Sequence, residues 1–351
     1  MNIENHEQDP KEIVDKLGDE IKEFNGKTML ITGGLGFLGQ MFVRVGKILN
    51  DNYLTTPCKI ILMDNFITSS ESSKDDFDYD FVEFMKHDVI QNISVDEPID
   101  FIIHAAGIAS PTYYRKYPLE TLDVAIQGTR NMLDIAKEKN SKLLFFSSSE
   151  IYGDPYDNDV PTSEDFRGNV SCLGPRACYD ESKRLGETIV RIYFEQFGVH
   201  SVIVRPFNVF GPGMNKNDYR VLPNFARLII SGNKVKVYGT GKQTRTYCYI
   251  TDAVTGFIKA LLNGKPGEAY NIGNDTPEIS VIQLTKHISN VIKEEVRVEL
   301  SEYPSSYPPD EPQRRCPDLA KSKKDLGFDP TVDLENGLQK FFEWAKFAYS
   351  Q

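Results

Sequence analysis

Apolar positions along the chain follow two periods. Compact apolar runs occur in "KTMLIT" (27–32), "KIILMD" (59–64), "DFIIHAAG" (100–107), "KLLFFSSS" (142–149) and "SVIVRPF" (201–207), each ending abruptly in polar or glycine residues. Runs of that length bounded by turn residues read as strands buried on both faces. Between them the spacing turns helical. One helix is expected from about Phe37 to Leu49. Another carries Thr121, Val124, Gly128 and Met132 on one stripe, and a third spans about Tyr179 to Phe197. Strands alternating with helices predict an α/β fold with a doubly wound parallel sheet. Upstream, Ile13, Leu17, Ile21 and Phe24 predict a short amphipathic helix from Lys11 to Phe24, either a packing appendage or a lid. Residues 1–10 are expected to be disordered, and the acidic stretch 68–80 to be loop.

After "NVFGPGM" the regularity weakens. Segments 215–250 and 265–331 mix short helices, short strands and proline-rich loops such as "YPSSYPPDEP". The expected organisation is an N-terminal helical extension (1–26), a Rossmann-type dinucleotide-binding domain (27–210) and a smaller substrate-binding lobe (211–351). Residues of about 245–262 should return to the first domain.

Composition narrows the function. The formal net charge of −11 disfavours nucleic acid or an anionic membrane as partner, because both need a basic face. A small anion held by a few arginines remains possible. No apolar run is long enough to span a bilayer. Cys58, Cys172, Cys178, Cys248 and Cys316 form neither a CxxC pair nor zinc spacing, so they read as reduced thiols in a cytoplasmic protein, and no metal is expected.

The turn "TGGLGFLG" puts Gly33, Gly36 and Gly39 between a strand and a helix. Glycines there permit a tight turn, close approach of a pyrophosphate and close helix packing, with the helix N-terminus facing the phosphates. Asp64 ends the next strand, where a carboxylate accepts from a ribose 2′-hydroxyl and repels a 2′-phosphate. That favours NAD over NADP. "HDV" places Asp88 and Val89 beside the adenine. Phe37, Leu38, Asn65, Ala105 and Ala106 complete the expected cofactor contacts.

"YDESK" sets Tyr179 and Lys183 one helical turn apart on one face. A phenol is a poor base at neutral pH; a nearby ammonium and an oxidised nicotinamide both stabilise its phenolate. Ser148, at the carboxyl end of its strand, can bond the same substrate hydroxyl. Tyr, Lys and Ser beside NAD predict alcohol oxidation. His104 reads as a strand-end structural residue rather than a base.

Taken together, "TGGLGFLG", "HAAG", "SSSEIYGDP", "YDESK", "RPFNVFGP", "VYGTGKQTR" and "LGFDP" resemble the extended short-chain dehydrogenase/reductase family of nucleotide-sugar epimerases, dehydratases and decarboxylases, from about Lys27 to Phe347. "HAAGIASPTYYRKYPLET", "GPRACYDESKR" and "PQRRCPD" are most similar to its UDP-glucuronate decarboxylase branch. The resemblance implies a UDP-sugar substrate, UDP-glucuronate by preference, and an NAD that stays bound and is recycled. It implies that Glu150 and Arg315 line the sugar site. Glu150 would either transfer a proton at C5 or orient the ring while Arg315 governs the substrate carboxylate, and the register between Arg314 and Arg315 is open. Asn208, Arg220 and Arg245 are implied contacts of the UDP phosphates or ribose, Tyr238 of the uracil, and Ser110, Pro111 and Tyr114 of the sugar or nicotinamide. A sugar-nucleotide 4-epimerase needs the same Tyr-Lys-Ser set and stands as the alternative. A 4,6-dehydratase uses an Asp-Glu pair where this chain has Ser149-Glu150. A non-catalytic nucleotide-sensing scaffold would not need the intact set. Relatives pair two helices per subunit, here about 115–139 and 179–197, into a four-helix bundle, which implies a homodimer.

Overall fold

The computed structural model describes residues 5–303 and 311–350. Most of the proline-rich stretch and residues 1–4 lie outside the described residues. Seven parallel strands make the central sheet: β1 (Thr28–Thr32), β2 (Lys59–Asp64), β3 (Val82–Lys86), β4 (Phe101–His104), β5 (Lys142–Phe146), β6 (Ser201–Pro206) and β7 (Ala269–Ile272). Their spatial order is β7-β6-β5-β4-β1-β2-β3. The order reverses between β1 and β4, and open α/β sheets bind ligands outside the carboxyl ends of the strands at such a point. Thr32 pairs with His104, and His104 with Phe145, so β1, β4 and β5 end level.

Alternate side chains of each strand enter two cores. Met29, Ile31, Leu62, Ile103, Leu144 and Val204 point to one face. That face is covered by α1 (Asn5–Leu17), α2 (Phe37–Asn52) and Ile250–Asn263. Leu30, Ile61, Ile102, Leu143, Phe145 and Ile203 point to the other, covered by α3 (Thr129–Lys139) and α4 (Ala177–Phe197). Burial on both faces explains why these strands are apolar runs rather than alternating ones.

Several details differ from the sequence expectation. The first helix begins at Asn5, inside the stretch expected to be disordered. Asp9 is buried there, accepting from the Tyr249 hydroxyl at 2.6 Å and from Lys340 Nζ at 3.3 Å, so a polar sequence is anchored by ion pairing. The helix ends at Leu17, and Gly18, at φ +57°, leads into a tighter 3-10 segment to Phe24. It buries Ile13, Val14 and Leu17 against the sheet-covering helices and contributes nothing to the cleft described below. Glu71–Phe77 forms a 3-10 turn within the expected loop, and the edge strand β3, half exposed, was not expected. The stripe through Thr121 and Met132 is buried as expected, on a helix that is interrupted ahead of it at Tyr117 and carries a π turn. Pro118 starts a new segment after Tyr117, and Val124–Gly128 is a π-helical turn before α3.

Beyond β6 the chain adds β7 to the central sheet, a strand the sequence pattern does not mark and outside the segment expected to return, and otherwise builds small sheets. Val235–Tyr238 pairs with Val298–Ser301. Thr244–Arg245 pairs with both Ile279–Ser280 and Arg314–Arg315. Both groups contribute residues to the same cleft as the start of α2 and the segments after β4 and β5.

Candidate active site

The cleft holds about 300 Å³. Its near wall starts at the β1–α2 turn. Gly33 has φ +65°, and a Cβ there would lie 2.7 Å from the Ala106 Cα. A Cβ on Gly39 would lie 2.5 Å from the Gly33 carbonyl oxygen. Both neighbours are backbone and cannot rotate away, so only glycine lets the turn close and α2 pack on it. The N-terminus of α2, at Gly36, carries no side-chain cap and no acidic residue in its first turn. Its free N–H groups suit a phosphate. Asp64 is held by the Leu35 N–H at 3.0 Å, the Phe66 N–H at 2.9 Å and the Ser69 hydroxyl at 2.8 Å. Asn65 donates to Asp88 at 3.0 Å, and Val89 follows at the end of β3. This cluster lies outside the cleft lining, where the adenosine end of a dinucleotide laid along the sheet edge would fall. The residues present therefore fit NAD.

Phe37, Leu38, Ala105, Ser148, Tyr179 and Lys183 line the cleft. Lys183 Nζ donates to the Phe146 carbonyl at 2.7 Å and sits 5.9 Å from the Tyr179 ring centre. Burial pushes its ammonium down to about 8. Gly107 leaves it room, since a Cβ there would be 3.1 Å from Nζ. Burial pushes the Tyr179 phenol up to about 12, the Ser148 hydroxyl at its side opposing the rise. Ser148 also accepts the Glu150 N–H at 3.2 Å and so caps the turn Ser149–Tyr152. Tyr114 stacks on Tyr179, the ring centres 5.4 Å apart. His104 is buried between the Thr32 and Thr129 hydroxyls, at 2.8 and 3.2 Å. Burial drives it down to about 3, so it stays neutral and structural.

Glu150 sits between two arginines. Arg315 Nη1 takes one carboxylate oxygen, and Arg176 Nη2 lies 2.5 Å from the other. Burial alone would raise the carboxyl. Arg176 and Arg315, with Arg245 behind them, outweigh it and hold Glu150 at about 2. Asp180, 3.7 Å from Arg176 Nε, goes the other way. Burial and the Glu150 charge push it up to about 7. Of the two expectations for Glu150, orientation fits this ionised carboxylate better than proton donation. The register is also resolved: Arg315 faces the cleft, while Arg314 turns away to Glu278 and Asp157.

The other expected substrate residues are spread round the rim. Pro111, Tyr114, Asn208, Tyr238 and Arg245 line the cleft. Ser110 does not; it donates to Asp218 at 3.3 Å, and Asp218 pairs with Arg220 at 2.6 Å. Arg220, expected on the UDP side, lines the cleft with the others, its guanidinium 5.8 Å from the Phe37 ring. Arg176 and Asp180 were not singled out from the sequence. Their signal was there: a basic and an acidic residue one helical turn apart, flanking the tyrosine.

The sheet, the glycine turn and the Tyr-Lys-Ser set define a dinucleotide-dependent enzyme of the short-chain dehydrogenase type. The NAD dependent epimerase/dehydratase family matches residues 29–273, and the chain belongs to that family. It is similar to UDP-glucuronic acid decarboxylase 1 of Xenopus tropicalis, 39% identical over 91% of this chain and 72% of that one. It is 37% identical to UDP-glucuronic acid decarboxylase 6 of Arabidopsis thaliana, over 88% of this chain and 86% of that one. Among solved structures, an epimerase from Methanothermobacter thermautotrophicus superposes with a TM-score of 0.80 at 25% identity, covering 95% of this chain and 96% of that one. A UDP-glucuronic acid 4-epimerase mutant from Bacillus cereus, in complex with a fluorinated UDP-glucuronic acid and NAD, has a TM-score of 0.77 at 22% identity, over 91% and 99% of the two chains; at that identity it shares the fold.

Proposed function

We propose that this chain is an NAD-dependent UDP-glucuronate decarboxylase that makes UDP-xylose. The observation that carries the reading is the buried Glu150–Arg315–Arg176 cluster beside Ser148 and Tyr179. Oxidation chemistry at a sugar hydroxyl needs only the latter pair with Lys183. A cluster of arginines around one carboxylate, at the same sheet edge, suits a sugar that brings a carboxylate of its own. The family membership and the names of the relatives point the same way.

NAD, when bound, accepts the hydride from C4 and later returns it. Tyr179 takes the C4 hydroxyl proton. Its phenol is too weak an acid to be ionised in the free site, so Lys183 and the cofactor's positive charge must bring it into range. Ser148 orients the hydroxyl. With C4 a ketone, the C5–carboxylate bond breaks, its electrons pass into the carbonyl, and CO2 leaves. Arg315 holds the carboxylate until that bond breaks. C5 then gains a proton, C4 is reduced, and Tyr179 returns its proton, so net redox is zero. Arg245 and Asn208 hold the diphosphate, and Tyr238 borders the base. Arg220, on the wall of the same cleft, joins them on the UDP side.

The proposal includes a homodimer. Leu185 and Ile192, exposed and seven residues apart on α4, and Leu119 on the helical segment nearby would be covered by a second copy. It places the chain in the cytoplasm, where the unpaired cysteines, Cys172 exposed among them, suit a reducing environment. No described helix is long and apolar enough to cross a membrane. The test is product identification by proton NMR after incubation with UDP-glucuronate and NAD. UDP-xylose is expected. UDP-galacturonate without CO2 would mean a 4-epimerase, the alternative that needs the same Tyr-Lys-Ser set.

A further inference from the structure

Arg176 joins two parts of the site that chemistry must keep in register. Its carbonyl accepts the N–H groups of Tyr179 and Asp180, at 2.9 and 3.1 Å, and so starts the helix that carries the tyrosine. Its buried side chain reaches across to Glu150 on the turn after β5. Glu150 is thus gripped from the Tyr179 helix by Arg176 and from the small C-terminal sheet by Arg315. The two grips are not equivalent. Both guanidiniums line the cleft; Arg315, whose one ion-pair partner among the described residues is Glu150, is the one proposed to be shared with an incoming sugar carboxylate. Arg176 is tied to Asp180 as well, through its Nε.

We propose that Arg176 is the positioning residue for Glu150, holding that carboxylate ionised and aimed when the substrate's own carboxylate draws on Arg315. The inference rests on the UDP-glucuronate reading for the identity of the incoming anion, and on the geometry alone for the hold on Glu150. Without Arg176, Glu150 and the substrate would share Arg315 in a buried site, with Arg245 only behind it. One carboxylate would then protonate or swing away.

The groups facing Glu150 come from several segments: Arg176, Asp180 and Tyr179 from α4 and its first turn, Arg315 and Arg245 from the small sheet, and Tyr114 from Pro111–Lys116. Around them, Glu181 faces Asp180, Arg220 faces Tyr179, and Glu311 faces Arg245. Only the arginines stabilise the charged form of Glu150. Arg176 lies 2.5 Å from the carboxylate and favours its charged form, so its loss must move the titration of Glu150 upward.

The experiment is carbon NMR of full-length protein labelled at glutamate carboxyls, with the Glu150 signal assigned by its absence in Glu150→Gln. Arg176→Met should raise the Glu150 midpoint by at least one pH unit, a tenfold change in its acid constant. The acid limb of kcat/KM should move up with it. Arg176→Lys should recover most of both shifts, while bound NAD and thermal midpoint verify folding in each variant. A Glu150 midpoint in Arg176→Met within 0.3 unit of the parent, in a folded NAD-loaded protein, overturns the inference. If the parent turns over no UDP-glucuronate yet the Glu150 signal shifts as expected, the hold on Glu150 stands and the substrate reading alone falls.

Discussion

Replacing Glu150 by Gln should weaken turnover and strengthen the binding of an anionic substrate. In the free protein the Glu150 carboxylate neutralises Arg315 and Arg176, the latter at 2.5 Å. A substrate carboxylate sharing Arg315 would come within roughly 5 Å of it. At an effective dielectric of about 20, two like charges at that separation repel by about 3 kcal/mol. Glutamine has almost the same shape and removes that repulsion. It also leaves two buried guanidiniums with one fewer anion, which the substrate carboxylate can supply. The expected gain in affinity for UDP-glucuronate is therefore about 3 kcal/mol, or roughly a hundredfold in Kd. UDP-glucose has no carboxylate and should bind the two proteins equally. The free variant should also unfold more readily, because a broken buried pair costs about 3–5 kcal/mol. Isothermal titration of both nucleotides against both proteins, loaded with NAD, reads the effect as a ratio that cancels any general loss of folding. Equal preference for UDP-glucuronate over UDP-glucose in the two proteins would refute the reasoning.

Further outcomes follow from the same geometry. Tyr179→Phe keeps the stack with Tyr114 but removes the proton acceptor, so kcat should fall by at least about a thousandfold with NAD content unchanged; a chromatographic NAD assay and a rate measurement check it. Gly39→Ala sets a Cβ 2.5 Å from the Gly33 carbonyl and should lower NAD affinity by about a hundredfold or more, seen by fluorescence titration. Tyr152→Phe removes the hydroxyl that accepts from Arg205 at 2.7 Å and donates to Asn271 at 2.7 Å, and should cost about 2–3 kcal/mol in urea unfolding. Lys183 is depressed by burial from 10.5 to about 8, so between those values the unfolded chain holds a proton that the folded one has released. Stability of the cofactor-free protein should therefore rise with pH across that window, by up to about 3 kcal/mol, and the rise should vanish in Lys183→Met.

Much of the central sheet was legible because its strands are buried on both faces and write themselves as continuous apolar runs. β3 was missed for the opposite reason: "VEFMK" is a half-exposed edge strand with mixed character. The N-terminal stretch read as disordered because its polar residues looked solvated, whereas Asp9 is buried against Tyr249 and Lys340, partners more than 200 residues away. Local pattern does not carry such pairings. In the site, Gly33, Gly39, Ser148, Tyr179 and Lys183 sit in short motifs with fixed spacing and could be named. Glu150 could be named but not given a charge state, since that depends on Arg176 and Arg315 arriving from separate elements. Arg176 itself was hidden because a helix-start arginine usually reads as surface.

One reaction bears on the whole proposal: turnover of UDP-glucuronate carrying deuterium at C4, run in ordinary water and repeated with unlabelled substrate in heavy water. If C4 is oxidised by a bound NAD that is then recycled, the UDP-xylose formed keeps its C4 deuterium in the first run. In the second it carries one solvent deuterium at C5, with one CO2 released per product and no net NADH. Loss of the C4 label, or product formed without CO2, would contradict a decarboxylation driven by transient oxidation in this cleft.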